Sequence, residues 1–437
     1  MDGNRTGFQD WLRRTQAAWA ASGRRLAAAA RPWLHRAGDK VAQGGTRLRD
    51  AAHRIDGDGH LGGQVDPKAE AATLKQGMNR IAELFGLRGW RSGVAVATSA
   101  VALLLVFSMA MGGRTSPRLM PAGQVPEVIG FYQNGGTQDL ADVQAHHSEL
   151  STVLAFWYSV DGSGNLKARQ PSSQVSNWVA SHHVRMGVLI NNVAGASGSN
   201  SAMLTDPTAR AAAVSNIASM VKQQGYQDVN IDFELLPQGV RSSLTTFMTD
   251  LRKALPQNVR LSMSIFPPVG VSASINGAYD YAALAKVTNY LVIMLYDHHY
   301  DGGPAGAVSP NSWVTANMQW LLRTAKIPAS KLVLAVGVYG YDWVQGGTSA
   351  TEVPLSGVDQ LIAQYGVRVR RSQGNPHFTY TTSGGTTHVV WYQDSQMVKW
   401  RLQLAQKLHL HGIAIWALGE ETPAVWQVIR NTYGTLS

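Results

Sequence analysis

The chain has 437 residues, 45% of them hydrophobic and 15% charged, enough for one large folded domain with extensions. It contains no cysteine, which excludes a disulfide framework and thiolate zinc sites. The net charge of +10 is unevenly spread: residues 1–91 hold 16 Lys/Arg against 9 Asp/Glu, leaving only +3 for the other 346 residues. The basic character belongs mainly to the N-terminal segment, which argues against a nucleic-acid groove on the main domain.

Within residues 1–91, Phe8, Trp11, Leu12 and Trp19, then Leu26, Trp33 and Leu34, suggest an interrupted amphipathic helix with a basic face. Such a segment either lies on an anionic membrane surface or forms a soluble basic tail or small helical hairpin. Gln43 to Asp66 is rich in Gly, Asp and Arg and reads as loop, and Ala71 to Leu87 is a second helical patch. Ser92 to Gly113 then carries no charge, with Arg88 and Arg91 before it and Arg114 after. Roughly 20 apolar residues span a bilayer core, so 92–113 is expected to be a transmembrane helix, with a buried core helix as the alternative. The preceding excess of Arg and Lys predicts a cytoplasmic N-terminus and an extracytoplasmic main domain, a single-pass arrangement in the cell membrane.

Residues 114–126, with Pro117, Pro121, Gly123 and Pro126, read as a linker. Eight apolar runs follow, separated by helical stretches: Val128–Tyr132, Thr152–Val160, Val184–Val193, Val229–Glu234, Arg260–Phe266, Tyr290–Asp297, Lys331–Tyr339 and Gly412–Leu418. Alternation of this kind predicts an α/β fold, a TIM (β/α)₈ barrel over 127–437. Short β-prone pieces in 346–390 predict a small α+β insertion after the seventh strand.

The fourth run ends the segment Gly225 to Glu234. Val229, Ile231 and Phe233 alternate with Asn230, Asp232 and Glu234, a period-2 strand whose apolar face packs under helices and whose other face presents an amide and two carboxylates. Burying two acids side by side is costly, and chain folding alone gives no reason for it. Acid–base chemistry does: a neighbour keeps one carboxyl protonated while the other stays ionised. The other strand ends bring Phe131, Tyr132, Trp157, Tyr158, Asn191, Asn192, Met294, Tyr296, Asp297, Tyr339, Tyr341, Trp343 and Trp416 toward the same mouth, and aromatic rings there suit stacking on sugars. The adjacent pairs His146-His147, His182-His183 and His298-His299 point to opposite faces on a strand and do not suggest a metal site.

The stretch ending at Asp232 and Glu234 resembles the signature strand of the family-18 glycoside hydrolases, with Gln227 and Asn230 where two earlier acids usually stand. Val229-Asn230-Ile231-Asp232-Phe233-Glu234 is similar to the branch that includes spore-cortex N-acetylglucosaminidases and chitinase-like proteins. Met294-Leu295-Tyr296-Asp297, Gly340-Tyr341-Asp342-Trp343 and Gly412 to Gly419 resemble three further motifs in the family's order, over about residues 125–435. The resemblance implies a glycosidase acting on N-acetylglucosamine-containing glycans with substrate-assisted retention. It assigns Glu234 as proton donor, Asp232 as partner of the acetamide N–H, Tyr296 and Asp297 as positioning groups, and Trp416 as floor. Asn230, Tyr132, Trp157, Asn191, Met294 and Tyr339 are the expected substrate-binding residues. No metal or organic cofactor is implied, because the substrate supplies its own nucleophile. The competing expectations are a glycan-binding barrel without catalysis and a scaffold for an envelope protein.

Overall fold

The computed structural model describes residues 125–133, 137–193 and 201–435. The basic segment 1–91, the expected membrane span 92–113 and nearly all of the linker 114–126 lie outside them. Among the described residues no helix is long and apolar enough to cross a membrane.

In chain order the strands are β1 (Glu127–Tyr132), β2 (Thr152–Val160), the short β3 (Leu166–Ala168), β4 (Arg185–Asn191), β5 (Asp228–Asp232), β6 (Arg260–Ile265) and β7 (Tyr290–Met294). They continue with β8 (Leu332–Gly337), β9 (Tyr339–Val344), β10 (Ala350–Pro354), β11 (Arg370–Ser372), β12 (Asn375–Thr381), β13 (Thr387–Tyr392) and β14 (Gly412–Trp416). Eight of them pair in parallel in the order β1-β14-β8-β7-β6-β5-β4-β2, and pairing of β1 with β2 closes the barrel. Each of the eight apolar runs overlaps one of these strands, β1 and β5 beginning one residue earlier than their runs.

The local causes are clearest just before β5. The helix Pro207–Gln224 starts with Asp206 accepting from the backbone N–H of Thr208 and Ala209, and Pro207 sits where its missing N–H costs nothing. Ala209, Ala213, Ile217 and Val221, spaced by four, bury one face of it. Gly225, at φ 72°, ends the helix in the left-handed region and turns the chain into β5.

The core has two layers. Val229, Ile231 and Phe233 point outward under the helices, where Phe233 stacks on Phe247 at 5.4 Å. Ile129, Phe131, Leu154, Phe156, Leu189 and Val292 fill the barrel interior. Below them Asp228, fully buried, enters the barrel because Gly187 opposite has no Cβ: one there would lie 2.7 Å from the Asp228 Cβ. Arg260 neutralises Asp228 (Nε to Oδ2 2.8 Å), donates to both Glu127 oxygens at 2.9 Å and to Thr152 Oγ1 at 2.9 Å. The Tyr290 hydroxyl donates to Asp228 Oδ2 at 2.8 Å. Burial alone would raise the Glu127 carboxyl, but His411 and Arg260 hold it down at about 2.

The insertion is larger than expected and begins at Tyr339 rather than Gly346. One residue, Val338, separates β8 from β9, and β9 belongs to a five-stranded antiparallel sheet ordered β10-β9-β13-β12-β11. The helix Leu355–Tyr365 accompanies this sheet. A buried knot fastens the sheet to the segment after β7. Ser309 N donates to Asn375 Oδ1 (2.9 Å), Asn375 Nδ2 to Ser309 O (3.0 Å), and the fully buried Arg401 to Ser309 O (2.8 Å).

Candidate active site

The site gathers where the parallel strands end. β5 stops at Asp232, earlier than expected, and Glu234 stands beyond the strand on a ledge that ends at Leu235, φ 53°. Asp232 is 5% exposed and its Oδ1 has no hydrogen-bond partner among the described residues. Burial pushes the Asp232 carboxyl up to about 7, partly opposed by its hydrogen bond with Glu234. Glu234 is pushed well above the usual carboxylate range, first by burial, then by the charges of Asp232 and Asp297 and by the bond to Asp232. Two carboxyls so linked share protons as a pair.

Asp297 follows β7 in the left-handed region, φ 56°, a conformation that Asp tolerates better than most residues. Its Oδ1 accepts from Tyr339 at 2.5 Å and Tyr341 at 3.0 Å, both rings supplied by β9. Burial raises Asp297 to about 6 against the lowering effect of those two bonds. Tyr296, half-buried, is raised well above its ordinary value by burial and then by Asp232, Glu234, Asp297 and Glu352, so it remains an O–H donor. Trp416 closes the floor, meeting Phe131 edge-on at 5.4 Å and Phe156 at 6.2 Å; its peptide bond to Ala417 is cis.

Asp232, Glu234, Tyr296, Asp297, Tyr339 and Trp416 therefore converge on one mouth. Asn191 joins them as the register partner of Asp232; its Oδ1 accepts from Val193 N at 2.9 Å, and its Nδ2 has no partner among the described residues. Met294, 6% exposed, ends β7 inside the core. Three expected ligand contacts are corrected. Tyr132 and Trp157 turn outward into the helix-facing core, 4% and 0% exposed, and meet each other edge-on at 6.1 Å. Trp157 sits where the pairing of β2 with β4 shifts register between Phe156 and Tyr158. Asn230 is fully buried beneath Asp232, with Nδ2 donating to Ser262 Oγ (3.1 Å) and Oδ1 accepting from Ser264 Oγ (2.9 Å), so it supports the strand rather than reaching a ligand.

Phe156, Glu352 and Tyr279 were absent from the expected set, while Phe131 and Asn192 stood at expected strand ends without an assigned role. Phe131, beside Tyr132, and Phe156, beside Trp157, are the rings that face Trp416. Glu352 pairs with Tyr341 across β10 and β9, on the face that Tyr341 turns to Asp297. Glu352 is raised well above its ordinary value by burial, then by Glu420 and Asp297. Asn192 and Tyr279 grip the backbone of the ledge, as described below.

Comparison with known proteins agrees with this geometry. The family model described as glycosyl hydrolases family 18 matches residues 127–421. The cortical fragment-lytic enzyme of Bacillus subtilis is 27% identical over 324 residues, covering 70% of this chain and 74% of that protein. The crystal structure of the Bacillus cereus spore cortex-lytic enzyme SleL superposes with a TM-score of 0.66 at 24% identity, over 71% of this chain and 75% of that one. A chitinase from Chromobacterium violaceum superposes with a TM-score of 0.66 at 24% identity, over 70% and 99% of the two chains, and at this identity both structures speak for the fold alone. The protein is a glycosidase, and the chain belongs to family 18 of the glycosyl hydrolases.

Proposed function

We propose that this glycosidase cleaves β-linked N-acetylglucosamine-containing glycans by substrate-assisted retention, from a domain held outside the cytoplasmic membrane by residues 92–113. The observation that carries the reading is the linked pair Asp232 and Glu234, both raised, beside an Asp232 oxygen and an Asn191 amide that lack partners among the described residues. Glu234, protonated, donates to the glycosidic oxygen as the bond to the anomeric carbon breaks. The acetamide carbonyl of the same sugar closes on that carbon, and Asp232, as carboxylate, accepts the acetamide N–H and balances the developing positive charge. Tyr296 donates to the acetamide oxygen, Asp297 holds the sugar side of the pocket, and Trp416 supports the apolar face of the ring. Glu234 then takes a proton from the water that opens the intermediate, restoring the β-anomer. The uncharged run Ser92 to Gly113, flanked by Arg91 and Arg114, supports the anchor. The named activity of the fragment-lytic enzyme supports the glycan class.

The test is incubation of the purified full chain and Glu234→Gln with chito-oligosaccharides and with muropeptide-bearing glycan strands, resolving products by mass and anomeric configuration. The expected result is cleavage with retained β-anomer, reduced at least about 10²-fold in Glu234→Gln. An inverted anomer rules out the mechanism, and binding without cleavage moves the protein to a glycan receptor.

A further inference from the structure

β4 and β5 run side by side until Asn191 faces Asp232, and there the backbone ladder between them ends. Two residues later the acid Glu234 has left the sheet, yet its main chain is fully engaged. Glu234 N donates to Asn192 Oδ1 at 3.0 Å, and Asn192 Nδ2 donates to Glu234 O at 3.0 Å. A carboxamide carries the same acceptor and donor as a peptide group, so this side chain reproduces what a further residue of β4 would have offered. Asn192 is fully buried. From the other side the fully buried Tyr279 donates its hydroxyl to Phe233 O at 2.8 Å.

We propose that Asn192 is a positioning residue for Glu234, its amide acting as a surrogate strand neighbour that fixes where the acid's carboxyl stands; this rests on the glycosidase reading above. The pattern of two bonds is what matters, not the volume of the side chain. Asn192→Asp keeps the volume, but its carboxylate turns an acceptor toward the Glu234 carbonyl, and the site already holds Asp232 on β5, Glu234, Asp297 after β7 and the phenols Tyr279 and Tyr296. When protonated, the same Asp offers one acceptor and one O–H donor, the arrangement of the amide. The defect of Asn192→Asp is therefore repaired by acid, whereas that of Asn192→Ala is not.

The experiment compares full-length wild type, Asn192→Asp and Asn192→Ala on penta-N-acetylchitopentaose from pH 5 to pH 8, with amide hydrogen exchange at residue 234 measured in parallel. Displacement of a catalytic group by about 1 Å costs on the order of 10²-fold. We expect kcat at pH 7 to fall about 10- to 100-fold in both variants with KM within about threefold. The ratio to wild type should recover at least about fivefold toward pH 5 in Asn192→Asp only, as the protonated acid regains hydrogen-bond reach. Protection of the Glu234 amide should disappear in Asn192→Ala while amides of β4 and β5 keep theirs. Equal pH profiles for the two variants, or an unchanged Glu234 amide, overturn the proposal. If the wild type leaves the glycan uncut, the proposed N-acetylglucosamine-glycan reading fails separately, and amide exchange still decides whether the clamp exists.

Discussion

Asp297 has the shape of a stored cost: a carboxyl raised to about 6 by burial, held by two phenols and used by the site. A carboxyl raised in the folded state binds its proton more tightly there than in the unfolded chain. Its contribution is complete below the ordinary carboxylate value and is lost as pH rises through about 6. Asp232, raised to about 7, has the same sign and extends the window upward. The melting temperature of the wild type should therefore fall from pH 4 to pH 8. In Asp297→Asn the amide oxygen still accepts from Tyr339 and Tyr341, and no charge has to form. That variant should melt higher than wild type at pH 8, match it at pH 4 and cleave glycan more slowly. Differential scanning calorimetry at the two pH values checks this; an equal difference at both would count against the argument. The rings of the first two strands show where a sequence stops speaking at this scale. β2 reads Thr-Val-Leu-Ala-Phe-Trp-Tyr-Ser-Val and is buried on both faces, so no alternation marks which rings face inward. One residue of parity separates Trp157 from Phe156, and a register shift at that point moves the assignment further.

At the level of elements, the polar floor of the barrel is set by β4, β5 and β6 together: Gly187 gives space, Asp228 fills it and Arg260 neutralises it. Removing one member of a buried pair leaves a desolvated charge behind. Arg260→Met should lower stability by about 3–5 kcal/mol, whereas the pair Arg260→Met with Asp228→Asn should recover most of it. Urea unfolding of the three proteins measures the difference; equal losses in the single and double variants would show that Asp228 does not carry the cost. The order of the eight strands was legible because each is an apolar run bounded by helical stretches, and so was the placement of Asp232, Glu234 and Asp297 at strand ends. The boundary between β8 and β9 was not. The expected run Lys331–Tyr339 crosses it, and the change of sheet at Val338 comes from tertiary pairing of β9 with β10 and β13. Asn192 was placed at a strand end, but its role was not legible, since its partners are backbone groups that follow β5 and leave no mark in its own surroundings.

Across the whole folded domain, the barrel and the inserted sheet meet through Ser309, Asn375 and Arg401, a knot with several of its polar groups bonded more than once. Asn375→Leu should leave the barrel amides protected, speed exchange in β9 to β13, and lower kcat, because β9 supplies the phenols on Asp297. Exchange measured by mass spectrometry, beside the rate of glycan cleavage, separates these effects; uniform loss of protection throughout would mean the knot serves overall stability instead. Only Val338 lies between β8 and β9, so the inserted sheet has almost no slack against the barrel. Tilting it to admit a bulkier glycan would draw Tyr339 and Tyr341 away from Asp297 in the same movement. Cleft width and local acidity are thus mechanically geared, and variants selected for a wider substrate should carry a displaced pH optimum with them.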